Sequence, residues 1–360
     1  MTSIPHPQLK SPFFSKNAIT HMKQRFFRPG AMPDPKHTGS AQLDNKFGGP
    51  WFTLSLKGIC KTMANDLPYA LPPDPNTKKP SFAVPDKACD THFHIFGPPD
   101  RFPYSETRRY TPPGAPIEHY RNVQKLTGLT RAIAVQPTAH GMDNSAILHA
   151  VNQSDGNMRA VIRFNDKTTD ADLEALHDAG ARGARFSLMS DRPGSSEMIA
   201  NAIPRIEKLG WSLVLHVETD HFIDNESFIR SIPVPTVIDH MARCPPADGL
   251  EHPAFKLLID LLKDDRFWVK ICSVDKISAT RQACVENGIP FSDVIPLGQA
   301  VIDAAPDRTI WGTDWPHGNT FNPGQIPNEG DLLDLLAAIA GEKEKLHKIL
   351  VDNPDRLYFS

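Results

Sequence analysis

The chain has 360 residues, 40% of them apolar and 22% charged, with a formal net charge of −3. That length allows a large core, and so balanced a charge argues against nucleic acid or an anionic membrane surface as partner. The five cysteines, Cys60, Cys89, Cys244, Cys272 and Cys284, are odd in number and form no CxxC pair, which excludes a disulfide framework and fits reduced thiols. No run approaches the roughly 20 apolar residues of a membrane span, and the start lacks a secretory apolar stretch, so a soluble, cytoplasmic protein is expected.

Proline divides the chain. More than half of the 34 prolines precede Ile117, and Pro68 to Pro85 has neither helical nor strand periodicity. Residues 1–86 therefore read as a Pro-rich N-terminal extension and linker, and residues 87–360 as the folded domain. The first 33 residues carry Lys10, Lys16, Lys23, Arg25 and Arg28 with no acid before Asp34. A loosely packed arm explains this more simply than an organelle transit peptide, which stays open.

From Lys87 onward short apolar runs alternate with longer helical segments, the pattern of a parallel α/β fold. Eight strands are predicted: ACDTHFHIF (88–96), RAIAVQP (131–137), RAVIRF (159–164), GARFS (183–187), WSLVLHV (211–217), TVIDHM (236–241), WVKICSV (268–274) and TIWGTD (309–314). Segments such as DADLEALHDAG and EGDLLDLLAAIAG between them show helical spacing. Eight such units point to a (β/α)₈ TIM-like barrel, with an open doubly wound sheet as the alternative. No GxGxxG or GxxxxGK[ST] follows the first strand, which weakens the nucleotide-binding form of that alternative.

A barrel of this kind places its active site at the C-terminal strand ends. There the sequence sets Asp90, His92 and His94 on strand 1, His216 on strand 5, Asp239 and His240 on strand 6, and Asp314 with His317 on strand 8. Strand alternation points His92 and His94 to one side. An HxH pair alone is weak evidence, but histidine or aspartate at four strand ends is hard to produce by packing, since every buried polar group needs a partner. Arg185 inside GARFS is costly to bury without an anion and is a candidate carboxylate clamp, with a structural ion pair as the competing explanation. For Arg163 the ion pair is preferred.

CDTHFHIFGP, AVQPTAHGMDN, GARFS, IDHMAR, WGTDWPHGN and LVDNPDRLY together resemble the 2-pyrone-4,6-dicarboxylate lactonase family of the amidohydrolase superfamily, in order from about residue 88 to the end. The resemblance implies a hydrolase that opens a small anionic, carboxylated lactone with activated water. His92, His94 and His240 would polarise the scissile carbonyl and Asp314 would act as general base. Tyr110, Thr138, Arg185, Arg192, His216, Lys276, His317 and Asn319 would surround the substrate. The chain departs from the pattern at Lys276, where the family has arginine, in a segment from Arg185 to Arg192 one residue longer, and at His216, where the family has tyrosine. With His216 present, His92, His94, His216 and Asp314 form a ligand set for one divalent ion, most simply zinc. A lactone isomerase, a metal-dependent decarboxylase and a non-catalytic carboxylate binder are the alternatives; homo-oligomerisation stays open.

Overall fold

The computed structural model describes residues 67–189, 196–280, 282 and 288–360. Arg192, Cys60 and Cys284 lie outside the described residues, as does the basic N-terminal stretch. Eight parallel strands follow one another in chain order: β1 (Cys89–Phe93), β2 (Arg131–Val135), β3 (Met158–Ile162), β4 (Ala181–Leu188), β5 (Ser212–Val217), β6 (Thr236–Ile238), β7 (Phe267–Ile271) and β8 (Thr309–Trp311). Each pairs with its successor. The predicted strand order is present, and the ends beyond 93, 238 and 311 leave regular structure to become the loops that carry the site. None of the described helices is long and apolar enough to cross a membrane.

Between β8 and β1 the ring is closed by backbone bonds just past the strands. Asp314 N–H donates to His92 O at 2.8 Å and His94 N–H to Trp315 O at 2.7 Å, with a parallel bridge between Phe93 and Trp315. Gly312 permits this approach, because a Cβ there would lie 2.5 Å from His92 Cβ. The histidines of β1 and the aspartate beyond β8 are therefore brought together by the closure itself.

Period-two alternation sorts the strand residues into two cores. Ala132, Ala134, Ala160, Leu213, Leu215, Ile238, Val269 and their like pack outward against the helices. Cys89, Ile133, Val135, Val161, Val214, Val237, Trp268 and Ile310 form a separate inner cluster, joined by Tyr358 from the C-terminal segment. Two residues further along the same inner faces come Arg163, His216, Asp239 and Lys270. The lumen is thus apolar at its N-terminal half and charged above it.

Asp90 does not share the side of His92 and His94. The β1–β2 register shifts between Asp90 and Phe93, and the Asp90 carboxylate is fully buried as a bracket across the seam. Its Oδ1 accepts the backbone N–H groups of His92 and Thr313, both at 3.0 Å, and its Oδ2 accepts Tyr120 Oη–H at 2.8 Å and Thr313 Oγ1–H at 2.6 Å. Burial raises its pKa although these bonds oppose the rise. Asp90→Ala should destabilise the fold by about 3 kcal/mol or more, since it leaves several buried donors without an acceptor; denaturant unfolding measures this, and a loss under 1 kcal/mol would show that the bracket is dispensable.

Residues 67–86 form no helix and no multi-residue strand, and they are bonded to segments that follow β8. Leu71 N–H donates to Thr320 O at 2.8 Å, Lys78 N–H to Asn328 Oδ1 at 2.9 Å, Ser81 N–H to Asp334 Oδ1 at 2.7 Å and Thr77 Oγ1–H to Glu329 Oε2 at 3.2 Å. The start of helix Glu329–Ala340 approaches so closely that a Cβ at Gly330 would lie 2.5 Å from Lys78 O. Starting the chain at Asp86 instead of Leu67 should lower Tm by about 5 °C or more, because buried Glu329 and Asn328 lose partners. Equal melting of the two truncations would refute this.

Candidate active site

His92 and His94, at the end of β1, meet Asp314 beyond β8, all three buried. Nε2 of His92 and Nε2 of His94 are 3.3 Å apart, and Asp314 Oδ1 lies 3.5 Å and 3.3 Å from them respectively. His94 Nδ1 sits 2.7 Å from Val135 O; a carbonyl can only accept, so Nδ1 carries the proton and Nε2 presents a lone pair. That lone pair faces a carboxylate oxygen, an arrangement that calls for a proton or cation between them. Ser273 Oγ–H donates to Asp314 Oδ2, which turns Oδ1 toward the imidazoles. Burial works against the charge on Asp314, but its contact with His94 and the nearby His240 and His92 rings hold the carboxyl well below its usual range.

His240 stands behind this group, its ring centroid 4.9 Å from that of His92. Arg185 Nη2 approaches His240 Nε2 at 3.3 Å. A guanidinium has no acceptor, so Nε2 accepts and the proton of His240 resides on Nδ1, which is buried and has no hydrogen-bond partner. Burial, only partly offset by the Asp239 and Asp314 charges, lowers its pKa to about 3. His240 is therefore a neutral donor looking for an acceptor.

Arg185 also donates through Nε to Asp239 Oδ2 at 2.9 Å. The structural ion pair set against the carboxylate clamp is thus the arrangement present, although Arg185 still lines a recess with Thr138, Arg163, Phe186, Ser187 and His216. Asp239 takes a second cation, Lys270 Nζ, at 3.0 Å from Oδ1. Burial opposes the Asp239 charge, and the Lys270 and Arg185 cations outweigh it, so its carboxyl stays well below the usual range. Lys270 is fully buried in β7 and also lies 3.1 Å from His92 Nδ1. Neither Lys270 nor Ser273 was singled out from the sequence. The signal for Lys270 was there, since a charged residue inside the apolar run FWVKI raises the same question as Arg185 in its strand.

His216 lies apart from the expected ligand set. Among the described residues, two groups of three side chains have ligand atoms within 4.8 Å of one another: His92, His94 and Asp314, and His92, His240 and Cys272. His216 is in neither; its Nδ1 contacts Ser187 Oγ at 3.3 Å, its ring is 5.7 Å from that of His240, and its buried Nε2 has no hydrogen-bond partner. Burial and then the Arg185 charge push its pKa well down. His216 lines the recess beside Arg185, outside both of these groups.

The residues expected on the opposite rim are partly committed to one another. Lys276 Nζ binds Thr320 Oγ1 and lies 3.2 Å from Asp275 Oδ2. His317 is buried with Nε2 3.2 Å from Glu329 Oε1; burial disfavours its charge, but the Glu329 carboxylate, with Asp275 and Asp314 beyond it, raises its pKa. Tyr110 packs edge-on against Phe96 and Phe321, and Asn319 is exposed with a left-handed backbone.

Residues 89–359 match the amidohydrolase family model. The chain belongs to the amidohydrolase family. This amidohydrolase is 38% identical to a 4-sulfomuconolactone hydrolase of Hydrogenophaga intermedia over 295 residues, 81% of this chain and 95% of the relative. It is 36% identical to a 2-pyrone-4,6-dicarboxylate hydrolase of Comamonas testosteroni, over 79% of this chain and 94% of that one. Among solved structures, a ligand-free Agrobacterium tumefaciens protein superposes with a TM-score of 0.68 at 25% identity, covering 78% of this amidohydrolase and 98% of the other chain.

Proposed function

We propose that the protein hydrolyses a small lactone bearing carboxylate groups, of the pyrone-dicarboxylate or muconolactone type. The observation that carries this reading is the meeting of Asp314 Oδ1 with the Nε2 atoms of His92 and His94 at 3.3–3.5 Å, in a chain whose relatives are named for lactone hydrolysis.

Ring opening needs a base for water, donors for the carbonyl oxygen as it gains charge, and cations for the carboxylates. Asp314 Oδ1, turned inward by Ser273, accepts a proton from water and returns it to the leaving ring oxygen. His240 Nδ1–H supplies a donor to the carbonyl oxygen. Arg163 and His216 in the recess, and Lys276 across the mouth, orient the anionic substrate so that attack is effectively intramolecular. His94 and Asp314, with His92 once its ring proton lies on Nδ1, would hold a single divalent ion, zinc by the nature of two imidazoles and one carboxylate, and such an ion would lower the pKa of bound water and polarise the carbonyl. No lysine stands at the end of β4 to bridge a second ion.

The test is turnover of carboxylated five- and six-membered lactones in ¹⁸O-labelled water. Hydrolysis predicts one solvent oxygen in each product and release of acid; a rearranged lactone without label, carbon dioxide release, or binding without turnover would each overturn the reading.

A further inference from the structure

We infer that Lys270 is a positioning residue that keeps the proton of His92 on Nε2, making His92 a hydrogen-bond donor toward the site and opposing its use as a metal ligand. The inference concerns the protein's own protons and stands whether or not a lactone is the substrate.

Lys270 is held on the inner face of β7, two residues above Trp268 of the apolar lumen cluster. With no exposed surface, its ammonium must find partners inside the barrel, and two are in reach: Asp239 Oδ1 at 3.0 Å and His92 Nδ1 at 3.1 Å. An ammonium offers three hydrogens and no acceptor. The His92 nitrogen facing it therefore bears the lone pair, and the ring proton sits on Nε2. The next contact agrees, because His92 Nε2 lies 3.3 Å from His94 Nε2, and His94, with its own proton fixed on Nδ1 by Val135 O, can accept there. One line of donors thus runs from Lys270 through His92 to His94.

Metal ligation demands the opposite at His92. A ligating Nε2 needs its lone pair, so the proton would have to move to Nδ1, where it would point at the ammonium. The acceptor that could relieve this is Asp239 Oδ1, 3.5 Å from His92 Nδ1, and reaching it requires Lys270 to give up its contact with the ring. His94 and Asp314 carry no such conflict. Of the three atoms able to share an ion, two are prepared for it and His92 is held back. A lysine that merely neutralised Asp239 would leave the His92 proton free to choose.

The proton position can be read directly. In uniformly ¹⁵N-labelled, metal-free full-length protein, long-range ¹H–¹⁵N correlation distinguishes the tautomers, with His92 assigned by the signals lost in His92→Gln. Wild type should show the Nε2–H form. Lys270→Met should move the proton to Nδ1, and competition with a chromophoric chelator should show zinc bound about tenfold tighter or more. Lys270→Gln, whose amide oxygen accepts from Nδ1–H, should give the same tautomer, and it decides the matter if Lys270→Met does not fold. A wild-type ring protonated on Nδ1, or a tautomer unchanged in the folded variants, would overturn the inference.

Discussion

Asp314→Asn is expected to cut kcat on a carboxylated lactone by about 100-fold or more, with melting temperature and substrate affinity nearly unchanged. The asymmetry follows from the bonds of the side chain. The asparagine carbonyl can still accept from Ser273 Oγ, and its NH₂ can donate to the lone pair of His94 Nε2, so the local geometry is satisfied without a charge. What it cannot do is take a proton from water. Single-turnover and steady-state kinetics beside a thermal melt separate the two effects, and near-normal turnover would remove Asp314 from the proton path.

Arg185→Met should be the most destabilising of the site substitutions, by about 3–5 kcal/mol, because it strips one cation from Asp239, a carboxylate with no exposed surface. It also removes the group that donates to His240 Nε2, so His240 can no longer be relied on to carry its proton on Nδ1. Activity should therefore fall to a similar extent on a carboxylated lactone and on its neutral analogue. A loss confined to the charged substrate, with stability intact, would restore Arg185 as a carboxylate clamp and would mean that Lys270 alone satisfies Asp239.

The barrel was legible because its strands are apolar runs of fixed order, and the candidate site because histidines and aspartates fall at their ends. Other features depend on contacts between distant parts of the chain. A register shift within β1 takes Asp90 out of the alternating set and turns it into a bracket. His216 is on the expected strand end, yet its distance from His92 depends on barrel geometry that spacing along the chain does not encode. Lys276 is hydrogen-bonded to Thr320, 44 positions away, and the proline-rich stretch takes partners from Thr111, from Thr320 and, some 250 positions later, from the start of helix Glu329–Ala340. Lys270 was readable in principle, since a lysine in FWVKI must be exposed, paired or functional.

The joint between β8 and β1 bears on how the protein acquires activity. The contacts that seat Asp314 beside His92 and His94 connect residues more than 200 positions apart, among them Thr91 Oγ1–H donating to Trp311 O across 220 positions. Contacts of such long sequence separation carry the greatest loop-closure cost and form slowly in folding. A partly wound barrel can bury much of its apolar surface and show most of its secondary structure while Asp314 remains apart from His92 and His94. Recovery of turnover after dilution from denaturant should therefore lag behind recovery of the far-ultraviolet signal. The catalytic reading then becomes a clock for ring closure.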